Sequence, residues 1–254
     1  MSPSFFDANC LLGRVNLPHA GHYFADAREL LAEMDHYGIA EALVCDALSR
    51  EHHPAAGNAR VLERLAGEPR LHPCWSLLPA QTGELPPPER YVDDMLAAGV
   101  RAAKVFPTMH SFRVEDWAMG EVYAALETRQ VPVFIDMDDD APGNDRADWN
   151  AIVGICRAHP RLSVIVSEWR LRHNRKAYQA LAACPNLHLE LSGFWHYRGI
   201  EDLCRRFGAR RLLFGTRMPG RDPACALAMV AYAQVSDEDR GLIAGENLRR
   251  LLGR

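Results

Sequence analysis

Residues 26–45, DARELLAEMDHYGIAEALVC, hold one helix and one strand in a single line. Asp26 and Glu29 stand at the spacing of a capping box, in which side chains satisfy the backbone amides left free at a helix start. Leu30, Leu31 and Met34 keep the three-and-four rhythm of an apolar helix face, and Gly38 supplies the left-handed residue on which such a helix ends. From Ile39 to Cys45 the pattern changes to a short apolar run, as expected of a parallel strand buried on both faces.

The same alternation repeats along the chain. Strand-like runs fall at 4–10, 39–45, 71–77, 101–106, 131–136, 162–168, 186–191 and 211–216. Helical patterns separate them: Tyr91, Val92, Met95 and Leu96 run up to Gly99, Asp116 precedes Met119, Val122, Tyr123 and Leu126, and Asp148 precedes Ile152, Val153 and Cys156 before Pro160. Asp222-Pro223 and the stretch from Ser236 to Asp239 read as further helix starts. Eight βα units in 254 residues predict an α/β protein of one domain, 1–254, folded as a (β/α)8 TIM barrel. A doubly wound sheet would bring a glycine-rich first turn, which this chain lacks.

Composition narrows the function classes. The chain is 48% hydrophobic and 24% charged with a net charge of -4, and its arginines are interspersed with acids, so no basic stripe offers itself to nucleic acid. The start MSPSFFDANCLLGR lacks the charged and apolar regions of a signal peptide, and the longest apolar run, CALAMVAYA (225–233), is too short to span a bilayer. These features predict a cytoplasmic protein with neither membrane nor nucleic-acid partners. Seven cysteines without a C-x-x-C pair read as small core residues in a reducing compartment.

In a (β/α)8 barrel the chemistry sits at the C-terminal ends of the strands. Those ends carry Asp7, Asn9 and Cys10, then Asp46, Lys104, Asp136 with Asp138 to Asp140, Glu168, Glu190 with Ser192, and Arg217. Side chains alternate along a strand, so Asp7 and Asn9 share a face, as do Glu190 and Ser192. Past the seventh strand, Phe194, Trp195, His196 and Tyr197 offer a flat wall for a planar substrate. His19, His22, His52 and His53 lie in loops, where solvation is their expected state, and Cys10 has no histidine partner in sight for a nucleophile's role.

The ordered segments FFDANCLLG (5–13), LLAEMDHYGIAEALV (30–44), GVRAAKVFP (99–107), VPVFID (131–136), HPRLSVIVSE (159–168), LELSG (189–193), LLFGTRMP (212–219) and ENLRRLLG (246–253) resemble the amidohydrolase-related (amidohydrolase 2) TIM-barrel family of metal-dependent hydrolases and decarboxylases. The resemblance implies hydrolysis of a C–N or C–O bond, or decarboxylation, of a small polar or carboxylate substrate. The family's metal ligands are a D-x-H-x-H pattern on the first strand, histidines after strands five and six, and an aspartate after strand eight. This chain has Asp7, Asn9 and Leu11, then Asp136, Glu168 and Arg217 in their places. Leucine cannot donate to a metal, and Arg217 brings positive charge where a cation would sit.

The expectation is therefore a degenerate, metal-free site with no cofactor, in which Asp136, Glu168, Arg217 and Lys104 do the chemistry. Asp7, Asn9, Trp195 and His196 would contact substrate. Two other arrangements of the same residues stand beside it: Mg²⁺ or Mn²⁺ held by the hard oxygens of Asp7, Asp136 and Glu168, and an inactive barrel plugged by ion pairs that binds a small anion or serves as a partner subunit. Association of the chain with itself as a homo-oligomer is compatible with all three.

Overall fold

A computed structural model describes residues 3–16, 22–137 and 148–253. The loop positions His19 and Asp138 to Asp140 lie outside the described residues. Strands β1 (Phe5–Leu12), β2 (Ile39–Asp46), β3 (Leu71–Pro73), β4 (Trp75–Ser76), β5 (Ala103–Val105), β6 (Val133–Asp136), β7 (Val164–Ser167), β8 (Leu187–Glu190) and β9 (Leu212–Leu213) occur in that order. Each of the eight predicted strand regions contains one, the third being split in two at Cys74. All paired neighbours are parallel, in two runs, β1 to β3 and β4 to β9.

Backbone hydrogen bonds join these runs into a ring. Cys74 N donates to Val44 O (2.9 Å) while Trp75 N and Leu77 N donate to Ala102 O and Lys104 O, so the third strand region ties both neighbours together. At the other seam, Ala8 N donates to Phe214 O (3.0 Å) and Leu11 N to Met218 O (2.9 Å). The eighth strand is shorter than the 211–216 run predicts. Phe214 N is drawn to Ile243 O and Thr216 N to the Asp7 carboxylate, which takes both amides off the ladder.

The apolar face of each strand packs outward on the helices through Ala42, Val44, Ala103, Val105, Val133, Ile135, Val164, Val166, Leu187 and Leu189. A second cluster, including Phe6, Leu43, Cys74, Phe134, Ile165 and Leu213, fills the interior. Because side chains alternate, the residues two further along these inner rows, Ser76, Asp136 and Ser167, also point inward, one layer nearer the C-terminal mouth, and Lys104 and Glu190 share that layer. The polar layer thus rests on an apolar floor.

The helices begin where the sequence places them. Asp26 caps Ala27–Tyr37 by accepting from Glu29 N (3.0 Å), and Gly38 closes the helix at φ 69°. Glu29 reaches back to Ala25 N (2.7 Å), completing the box one residue earlier than the usual form. Asp148, Asp222 and Ser236 are caps as expected. Asp116 instead lies inside its helix, after the cap position Glu115, and bonds to His159 (2.7 Å). No helix among the described residues is long and apolar enough to cross a membrane. The seven cysteines are unpaired, five of them buried.

Candidate active site

Asp7 is fully buried on β1, two residues past its start. Its carboxylate accepts from Asn9 N (2.9 Å) and Thr216 N (3.0 Å), and the Thr216 hydroxyl also donates to it. Burial pushes the Asp7 carboxyl above its ordinary range, against the lowering effect of these donors. The group thus pins β1 to the end of β9. The register irregularity between Asp7 and Cys10 accompanies this local turn, and burial together with the Asp7 charge holds the Cys10 thiol well above its usual value, which makes it unreactive packing.

Asn9 is the hub of the cluster. Its side-chain oxygen accepts from Lys104 Nζ (2.8 Å), and its amide nitrogen donates to Glu168 Oε1 (2.6 Å) and Glu190 Oε2 (3.2 Å). Lys104 also pairs with Asp136 at 3.1 Å. Burial raises the Asp136 carboxyl, but the positive charges of Lys104, Arg217 and Arg50 outweigh it and hold the group below its ordinary value. For Lys104, burial disfavours the charge, and Asp136 with the other nearby anions more than restores it. This pair is ionised at neutral pH.

Glu168 receives the guanidinium of Arg217 at 2.5 Å and that of Arg221 at 2.7 Å on one carboxylate oxygen. Glu168 and Arg217 are almost fully buried, and both sit in the left-handed backbone region, at φ 59° and 63°. Non-glycine residues there store strain, which persists where the surroundings over-determine it. Trp169 supports the turn by donating from Nε1 to Glu190 O (2.8 Å) and stacking on Phe194 at 5.0 Å.

Glu190, on β8, is fully buried. Oε1 accepts from Ser192 N (2.5 Å) and Oε2 lies 2.9 Å from Ser192 Oγ. Burial and the adjacent Glu168 charge push its carboxyl up to about 7. Room for it comes from Gly215, where an added Cβ would stand 2.2 Å from Glu190 Oε1. Gly215→Ala therefore forces the carboxyl aside and is expected to lower stability by about 1 to 3 kcal/mol, read from the urea unfolding midpoint.

The structure thus brings together Asp7, Asn9, Lys104, Asp136, Glu168 and Arg217. Trp195 is half exposed at the rim, its ring 6.0 Å from the Arg221 guanidinium. His196 stands outside the set: it is exposed, faces Phe194 at 6.0 Å, and lines a surface cleft with Tyr197 and Tyr232. His53 caps the helix Pro54–Arg64. Sequence reasoning missed Arg221 and left Glu190 and Ser192 out of the site, although the alternation that aligns those two was visible. A cavity of about 70 Å³ touches Asp136 and shares Pro107, Thr108, Phe112 and Arg113 with a larger cleft of about 940 Å³. The buried hydroxyls of Ser76 and Ser167 have no hydrogen-bond partner among the described residues. No group of three or more His, Cys, Asp or Glu among the described residues is arranged to hold a metal ion.

A ring of parallel strands with ionisable groups gathered at their C-terminal ends defines a (β/α)8 barrel with a polar mouth. A family model described as amidohydrolase matches residues 77–254, and the chain belongs to that family. No curated protein matches the sequence. Solved structures share the fold at low identity. An uncharacterised TIM-barrel protein from Bordetella bronchiseptica is 18% identical with a TM-score of 0.74, the alignment covering 99% of this chain and 100% of that one. A dihydroxybenzoic acid decarboxylase from Polaromonas, with bound manganese and the inhibitor 2-nitroresorcinol, is 14% identical with a TM-score of 0.70, covering 99% and 97%. A probable 2-pyrone-4,6-dicarboxylic acid hydrolase from Acinetobacter baumannii, with citric acid bound, is 12% identical with a TM-score of 0.68, covering 99% and 100%.

Proposed function

We propose that the chain is a hydrolase of a C–N or C–O bond, or a decarboxylase, that acts on a small carboxylate substrate without a divalent metal. The observation that carries this reading is the strained backbone of two buried residues, Glu168 and Arg217, each held at positive φ, at the end of the barrel where chemistry resides. Burying several charges is costly, and a stability role alone would be served as well by apolar packing.

The donor set does not fit a divalent cation. Lys104 and Arg217 already lie 3.1 and 2.5 Å from the two carboxylates that a metal would need, Asp136 and Glu168, and Asp7 is engaged by the Thr216 amide and hydroxyl. In this reading a substrate carboxylate displaces Glu168 from the guanidiniums of Arg217 and Arg221, which bind it as a fork. Lys104 polarises a second oxygen, and the freed Glu168 or Asp136 serves as acid or base. Ser76 and Ser167 offer unused hydroxyls to the substrate or to water, and Trp195 flanks its plane.

A second reading, an inactive barrel that binds a small anion, is favoured by the direct contact of Arg217 with Glu168. Metal content separates the metal question first. Protein purified without added metal, and again after soaking in Mn²⁺, Mg²⁺ or Zn²⁺ with free ion removed, is expected to carry well below one equivalent by plasma mass spectrometry. Near-stoichiometric metal overturns the metal-free site. A panel of aromatic and aliphatic carboxylates then separates the two readings: turnover lost by about a hundredfold or more in Arg217→Ala supports the enzyme, and calorimetric binding without turnover supports the inactive barrel.

A further inference from the structure

We propose that Glu190 stores a proton and relays it through the Ser192 hydroxyl to Glu168, making Glu190 a positioning residue for acid catalysis. The proposal rests on the catalytic reading of the site and adds to it where the proton comes from.

Hydrogen-bond accounting leads to this assignment. Lys104 can only donate, so the oxygen of Asn9 must face it, and both amide hydrogens are then directed to Glu168 Oε1 and Glu190 Oε2. Ser192 Oγ lies 2.9 Å from Glu190 Oε2 and 3.3 Å from Glu168 Oε1. A hydroxyl has one hydrogen and cannot donate to both. With both carboxyls ionised, one of these buried contacts would set lone pair against lone pair.

A proton on Glu190 Oε2 resolves the conflict. Glu190 then donates to Ser192 Oγ, Ser192 donates to Glu168 Oε1, and Arg221 Nη1, 3.4 Å away, faces the remaining Ser192 lone pair. Glu190 Oε1 accepts from Ser192 N, as suits the carbonyl oxygen of a carboxylic acid. Charge agrees with geometry: with Glu190 neutral, the carboxylates of Asp7, Asp136 and Glu168 match the cations of Lys104, Arg217 and Arg221. The upward pressure of burial and of Glu168 on the Glu190 carboxyl points the same way.

The relay needs no other reactant. The O–H bond of Glu190 breaks as a new O–H forms on Ser192, and the original Ser192 proton passes to Glu168, so one negative charge moves from Glu168 to Glu190. At rest the two guanidiniums pair with Glu168 and the proton sits on Glu190. A substrate carboxylate that takes over Arg217 and Arg221 strips Glu168 of the two guanidiniums it pairs with, and the proton then passes to it. Substrate arrival thereby calls up the acid that the reaction uses.

The test reads the proton without requiring turnover. Infrared spectra at about pH 5, below the value of about 7 to which the Glu190 carboxyl is pushed, are expected to show a protonated, hydrogen-bonded carboxylic acid band that disappears in Glu190→Gln. In Ser192→Ala the band is expected to move to the position of a carboxyl that has lost its acceptor, and Ser192→Thr is expected to restore it. Absence of the band from the wild type, its persistence in Glu190→Gln, or an unchanged band in Ser192→Ala overturns the relay. Failure of the catalytic reading would show separately, as no turnover on the carboxylate panel with the band intact. If Glu190→Gln does not fold, the Ser192 pair still decides.

Discussion

Arg217→Ala is expected to destabilise the folded chain by about 3 to 5 kcal/mol at neutral pH, the cost of removing one partner from a buried ion pair. Glu168 would keep Arg221 at 2.7 Å, but it would lose its closest cation, and Asp136 would lose one of the charges that hold it ionised. Neither carboxylate can turn to water, since both are buried. Urea unfolding of wild type and variant measures the loss, and a neutral or stabilising effect would sink the ion-pair account.

Arg217→Gly gives this experiment an internal control. Glycine removes the same charge but adopts a φ of 63° without the steric cost that alanine bears, so the glycine variant should be the more stable by about 1 kcal/mol. Glu168→Gln combined with Arg217→Ala should recover part of the loss, because the uncompensated charge goes with its partner. A full additive penalty in the double variant would show that the two residues do not act as a pair.

These residues could be named from sequence because the barrel imposes a simple rule. Alternation along short buried strands leaves few inward positions near each C-terminal end, and Asp7, Lys104, Asp136 and Glu168 occupy or directly follow them. Helix boundaries were legible for an equally local reason: Asp26, Asp148 and Asp222 cap through amides two or three residues away. What sequence could not supply was the pairing. Arg217 takes Glu168, while Lys104 takes Asp136, a choice set by which loop turns inward after each strand. Arg221 lies beyond the Met218-Pro219 bond, where no periodicity indicates direction. Gly215 read as part of a family pattern, and its physical reason, the Glu190 carboxyl against it, needs three-dimensional contact. The count of hydroxyl hydrogens that assigns a proton to Glu190 requires distances too.

That proton gives the protein a pH dependence opposite to the usual acid denaturation. A carboxyl whose value rises on folding binds its proton more tightly in the folded state, so its contribution to stability is complete below the unfolded value and is lost as pH rises through the folded one. For Glu190, between its ordinary value of 4.5 and about 7, the loss is about 3 kcal/mol at about 1.4 kcal/mol per pH unit. Asp7, also raised, adds to the decline at the acidic end, whereas Asp136, held low, works against it there. Glu190→Gln keeps the shape and a hydrogen-bond donor but cannot ionise. Its stability relative to wild type should therefore rise steadily across that window and level off above it, with the wild type losing about 3 kcal/mol against the variant between about pH 5 and 8. Denaturant melts at several pH values would measure the difference directly. A difference that stays flat would mean that Glu190 binds its proton no more tightly in the folded chain than in the unfolded one, and an opposite slope below about pH 5 would mean that the surrounding cations stabilise its carboxylate more than burial penalises it.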